Sequence, residues 1–196
     1  MLLCRRPSVV LFLLTVFVGG VANSLYLSFT FKFLVDHMKL SKTESSYVFA
    51  CSSVSSCLTF LFAHRFIGMF GGAIPTMSVS LLAYFVRLLV ISFDISYPVF
   101  LVVHLLNGFS FALFYCSIMK HIQDISPTDI LMTMNQLTLA LFFYVSSIVG
   151  NIGGSEVYQV YGGMIMFRGQ AIVCGVWSLV LVVYVKMSSR SRISSD

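Results

Sequence analysis

The chain has 196 residues, of which 58% are hydrophobic and only 10% charged. A soluble domain carries about 25% charged residues, so this composition excludes a water-dissolved globular enzyme. The net charge of +5 and pI near 9.0 do not point to nucleic acid either. Arg5, Arg6, Arg65, Lys186, Arg190 and Arg192 stand at the ends of apolar runs or in the C-terminal tail, with no basic stripe carrying interleaved aromatics.

The sequence divides into six apolar stretches, at about 7–33, 45–62, 73–93, 98–122, 128–153 and 162–186. Each is about 20 residues long, enough for a helix to cross a hydrocarbon core about 30 Å thick. A membrane barrel would alternate apolar and polar residues, whereas 9–17 and 179–185 are apolar on every face. The predicted fold is all-α: a polytopic transmembrane bundle of six spans, 1–187, followed by a short polar tail, 188–196.

The first stretch follows Arg5 and Arg6 and stays apolar to Phe33, too long for the core of a signal peptide, so it is read as a membrane helix. Gly19-Gly20 marks a bending point. Asn23, Tyr26 and Thr30 follow at i, i+3 and i+7 on one helical face. Before the second stretch, Ser41 suits a helix N-cap and Glu44 can close a capping box. That stretch offers Ser52, Ser55, Ser56 and Thr59 and ends near Arg65. The third holds Arg87, about two turns from its end, where a long stem can reach the headgroups. The fourth starts at Pro98, with His104 as an interfacial histidine. Asn107, Ser110, Phe111 and Phe114 share a face. Its far end, Lys120-His121-x-Gln123-Asp124, is read with Arg65 and Asp129 as a cytoplasmic collar or gate. Ahead of the fifth stretch, Ser126, Pro127 and Asp129 take N-cap, first and third helical positions. Asn135 and Gln136 lie inside it. Gly150-x-x-x-Gly154 permits close helix packing.

Positive residues favour the cytoplasm. With the N-terminus inside, the inner segments hold Arg5, Arg6, Arg65, Lys120, Lys186, Arg190 and Arg192, and the outer loops hold Lys39 and Lys42. Both termini are therefore placed in the cytoplasm. The chain also reads as a repeat. Asn23, the Ser41–Glu44 cap and Gly68-x-x-x-Gly72 correspond to Asn107, the Ser126–Asp129 cap and Gly150-x-x-x-Gly154. Three spans are an odd number, so the second copy is inverted, an arrangement of secondary transporters.

Amides and hydroxyls with aromatic walls suit a small polar organic solute: amides fix orientation and rings fill volume. Asn23, Tyr26, Thr30, Asn107, Ser110, Phe111, Asn135 and Gln136 are the candidate solute path. No Gly-x-Ser-x-Gly, phosphate loop or His-Glu-x-x-His occurs. The five cysteines show no metal-ligand spacing. No enzymatic activity, metal or cofactor is expected.

The ordered set Pro98, His104-Leu105-Leu106-Asn107-Gly108-Phe109-Ser110, Ile125-Ser126-Pro127, Met134-Asn135-Gln136-Leu137, Val149-Gly150-Asn151-Ile152-Gly153-Gly154 and Tyr161-Gly162-Gly163 is familiar. Over 98–167 the chain resembles the C-terminal half of major facilitator superfamily transporters. Its nearest likeness is the branch of lactose permease, the nucleoside–proton symporters and the major-facilitator-associated domain. The basic turn Ala63-His64-Arg65-Phe66-Ile67-Gly68 and the segment 82–89 fit the same resemblance. It implies secondary-active transport of a small polar solute across a lipid bilayer by alternating access. It implies that the first, second, fourth and fifth helices face a central cavity, the third and sixth supporting them. It further implies a coupling proton and a second six-helix half, covalent in a longer chain or supplied by a dimer partner. Relatives often carry an embedded acid in the second helix; here that segment reads Val54-Ser55-Ser56-Cys57-Leu58. The missing acid leaves a receptor or scaffold with this fold as the alternative.

Overall fold

A computed structural model of the chain describes residues 7–93 and 95–193, with only the backbone described for Pro7 and 188–193. Cys4, Arg5, Arg6, Asp94 and the last three residues lie outside the described residues, as do the side chains of Arg190 and Arg192. Six helices long and apolar enough to cross a membrane follow one another: α1 (Pro7–Asp36), α2 (Lys42–Met69), α3 (Ala73–Ile91), α4 (Tyr97–Ile125), α5 (Thr128–Tyr161) and α6 (Gly163–Ile193). No strand occurs among the described residues. Lipid offers a backbone no hydrogen-bond partners, and a helix satisfies its own N–H and C=O groups.

Every helix but α3, which stops at Ile91, outruns its apolar stretch. The 28 residues of α2 rise about 42 Å at 1.5 Å each, roughly the bilayer with its headgroups. Likewise α6 continues to Ile193, through most of the segment read as a polar tail.

The packing has the pattern of a three-plus-three repeat. The broadest interface joins α3 to α6, while α1 packs along α5 and α4 along α2. Exchanging the first three helices for the last three maps α1–α5 onto α4–α2 and α3–α6 onto itself. Polar side chains tie these pairs, as they do where lipid removes the hydrophobic drive between helices. Ser78 and Ser178 hydrogen-bond across α3–α6, with Oγ atoms 3.2 Å apart. Ser24 donates to Asn151 Oδ1 at 3.0 Å across α1–α5. Trp177 Nε1 donates to Thr15 Oγ1 at 2.9 Å between α6 and α1.

The two repeat caps differ. Ser41 forms a full capping box with Glu44. Ser126 does not cap α5: it is the residue that closes α4, at φ −102° and ψ 134°. Pro127 pushes its predecessor into extended backbone. The chain then passes through a 3₁₀ turn, Thr128–Ile130, before the α-helix resumes at Leu131. The glycine correspondence also shifts. Gly72, at φ 120°, precedes α3, and its counterpart is Gly162, at φ 83°, preceding α6. Gly150 and Gly154 instead lie inside α5, facing α1.

A Cβ on Gly154 would fall 2.2 Å from Leu25 Cδ2 and 3.2 Å from Phe29 Cε2, while one on Gly153 would meet nothing within 4 Å. Gly153→Ala is therefore expected to stabilise the protein by up to about 1 kcal/mol through helix propensity. Gly154→Val is expected to destabilise it by about 1–3 kcal/mol through overpacking. Unfolding of the two variants in detergent checks the opposite signs.

α4 is broken at mid-length. Leu105 N–H and Leu106 N–H bond three residues back, to Val102 and Val103 carbonyls at 3.1 Å each, and a π-helical segment follows over Gly108–Ala112. The break frees carbonyls that lipid cannot satisfy. Hydroxyls of α2 satisfy them instead: Ser55 Oγ donates to the Leu105 carbonyl and Ser52 Oγ reaches the His104 carbonyl at 3.5 Å. A second π segment, Leu141–Val145, interrupts α5, and Ser146 Oγ bonds the Leu141 carbonyl at 2.7 Å. Such single-turn irregularities occur frequently at functional sites.

Candidate binding groove

The site begins with a cation. α3 turns one stripe into the bundle, in which Thr76, Ser80 and Tyr84 lead to Arg87, and all four are fully buried. Arg87 does not reach the headgroups, contrary to the expectation from its place in the sequence. The small side chains of Thr76 and Ser80 belong to a face held against the core, and the guanidinium follows that face inward. Its Nη1 donates to Asn107 Oδ1 of α4, and its plane lies over the Tyr26 ring of α1 at 4.1 Å and over Tyr84 at 5.1 Å. Arg87 Nε and Nη2 have no partner.

The rings and the amide are themselves tied. Tyr26 OH lies 2.9 Å from Ser52 Oγ, Asn107 Nδ2 donates to Ser56 Oγ at 3.0 Å, and Tyr84 OH donates to Asn23 Oδ1 at 3.4 Å. His104 is fully buried too. Its Nδ1 donates to the Phe100 carbonyl at 2.8 Å, one turn back, and its Nε2 has no partner. Arg87 lies about one turn before the end of α3 at Ile91, and a charge inside a membrane helix costs up to roughly 2.5–3.5 kcal/mol, the figure for the helix centre. The two aromatic faces offset part of this, at about 0.5–2 kcal/mol each. No carboxylate does: the one ion pair among the described residues joins Lys120 to Asp124, far along α4.

Against this network lies an open groove of about 450 Å³ between α1, α2 and α4. Asn23, Tyr26, Ser52, Ser56, Asn107 and Phe111 line it, and Phe49, Phe60 and Leu61 supply apolar wall. Its size falls in the range of small-molecule sites, about 300–1,000 Å³, and it combines apolar walls with a few polar groups, as those sites do.

The groove brings together Asn23, Tyr26, Asn107 and Phe111 of the sequence-predicted path. It does not take in the other four. Thr30 is buried with Oγ1 unpartnered. Ser110 is buried and donates to the Asn107 carbonyl at 3.4 Å. Asn135 is half-buried, with Oδ1 unpartnered, and Gln136 is exposed. Of the predicted collar, Lys120 pairs with Asp124 one turn along the same helix, Arg65 is exposed over the Phe62 ring at 5.9 Å, and Asp129 is exposed in the 3₁₀ turn. Sequence reasoning did not foresee the full burial of Arg87 and His104. The signal for Arg87 was its phase, three residues after Tyr84 and seven after Ser80 on one face of α3. No three His, Cys, Asp or Glu side chains among the described residues cluster to hold a metal.

Six membrane-length helices packed as two interlocked sets of three define an integral, multi-pass membrane protein of transporter-type fold. Residues 1–169 match the MFS_1 like family, and the chain belongs to that family and thereby to the major facilitator superfamily. Proteins of this superfamily are generally transporters rather than enzymes. No curated protein and no solved structure matches the chain.

Proposed function

We propose that the chain is one half of a secondary-active transporter of the lactose permease-like branch, moving a small polar organic solute by alternating access. The groove between α1, α2 and α4 carries this reading: amides and hydroxyls lie on the floor and aromatic rings on the walls, inside a family of transporters. Both termini are placed in the cytoplasm, and a second six-helix half completes the cavity. A coupling proton binds outside this groove, whose lining holds no carboxylate. The same lack is the one observation favouring a receptor or scaffold of this fold. Such a protein would bind solute and move none.

Cys57 gives the test, because it is exposed and lines the groove. A membrane-impermeant methanethiosulfonate is expected to abolish most solute uptake by the wild type and to leave Cys57→Ser active. Transported solutes are expected to slow the modification. Equal inhibition of both proteins would remove the groove from the transport path.

A further inference from the structure

We propose that the solute held in this groove is an anion, a small organic acid recognised by amide N–H donors under the field of Arg87. The inference rests on the transport reading above and names its substrate class.

The orientation of the two groove amides carries the argument. Asn107 gives its Oδ1 to Arg87, so its NH₂ is the end left over; one hydrogen goes to Ser56 Oγ and the other is spare. Asn23 accepts from Tyr84 OH through its Oδ1, again leaving the NH₂ as its remaining polar end. Both carbonyl ends are thus held by side chains of α3, and both residues line the groove. A floor whose amides have their acceptors occupied and their donors spare suits a ligand rich in acceptors.

Charge points the same way. Arg87 is fully buried, and a guanidinium stays protonated in proteins. The chain's seven acidic residues stand at 36, 44, 94, 124, 129, 156 and 196, and none lines the groove. No acid of the groove neutralises the cation, and two of its nitrogens lack a hydrogen-bond partner. A cationic solute would meet like charge, and a neutral one would leave the guanidinium uncompensated. An anion supplies the missing charge. Tyr26 lies over the guanidinium and also lines the groove. Turning its ring aside breaks one side-chain hydrogen bond, to Ser52, and opens a direct approach to Arg87.

Matched pairs test the class. The protein, together with the second six-helix half that completes its cavity, is reconstituted in phosphatidylcholine vesicles and nanodiscs and offered glucuronate against glucose, and benzoate against benzamide. Thermal stabilisation and uptake are read for each. The acid of a pair is expected to stabilise and enter, its neutral partner being at least about tenfold weaker. Arg87→Gln, which retains a donor for Asn107, is expected to erase the preference, and Arg87→Lys to keep part of it. Asn107→Asp places a carboxylate beside Arg87 and is expected to abolish acid binding while raising thermal stability, which separates loss of site from loss of fold. Equal acceptance of both members, unchanged in Arg87→Gln, overturns the anion assignment and leaves the transport reading standing. Uptake of none, with no stabilisation, overturns both. Phosphatidylglycerol that stabilises the protein and blocks glucuronate would give the site to a lipid headgroup and overturn the solute assignment.

Discussion

Replacing Asn107 by leucine is expected to destabilise the bundle by about 1.5–3 kcal/mol, the usual worth of a hydrogen bond to a charged group. The loss arises on the partner, not on Asn107 itself. Asn107 Oδ1 is the one hydrogen-bond acceptor Arg87 has, and its removal leaves a fully buried guanidinium covered only by the rings of Tyr26 and Tyr84. Breaking a buried polar contact from one side is far costlier than removing both partners. Adding Arg87→Met to Asn107→Leu is therefore expected to recover most of the loss, since an unbranched apolar chain replaces the cation. Unfolding of the wild type, both single variants and the double variant in detergent gives the coupling directly. If the double variant loses the sum of the single losses, the two side chains are not coupled as described.

The second large effect is at Gly108. It opens the π segment of α4 where that helix presses on α2, and a Cβ there would lie 2.2 Å from Thr59 Oγ1 and 2.7 Å from the Ser55 carbonyl oxygen. The carbonyl is helix backbone and cannot rotate away as a side chain would. Gly108→Leu is expected to cost about 3 kcal/mol or more by forcing α4 off α2, with loss of folded, monodisperse protein. Gly68→Ala is the matched control: a Cβ there meets nothing within 4 Å. Size-exclusion profiles of the two variants decide the matter, and a normal profile for Gly108→Leu would mean that α2 and α4 do not meet this closely.

The six spans were legible because lipid imposes one demand on every residue of a stretch, and length with apolarity answers it. The repeat was legible in outline for a related reason: Ser41 and Ser126 both sit where a chain re-enters the bilayer. Its details were not. Pro127 imposes extended backbone on Ser126, so the serine ends α4 rather than capping α5. Gly68-x-x-x-Gly72 and Gly150-x-x-x-Gly154 share a spacing but not a setting. The first pair lies in open space around a turn, the second inside α5 against α1. Within the candidate path, Asn23 and Tyr26 share one face of a regular helix, and spacing alone placed both. Ser110 lies inside a π segment, where the usual phase does not hold, and nothing in its residue types announces the change. Arg87 was misjudged because distance from a span's end was weighed above helical phase.

The buried charge on α3 also has a bearing on how the protein is made. As α3 leaves the ribosome, its arginine has no amide to meet, because Asn107 lies 20 residues further along the chain. α3 thus enters the bilayer with an uncompensated charge about one turn before its end at Ile91, a penalty that its own apolar residues must offset. Only the arrival of α4 supplies the matching acceptor. The two helices are in this sense a single unit of biogenesis, and a truncation between them would strand a charged helix in lipid.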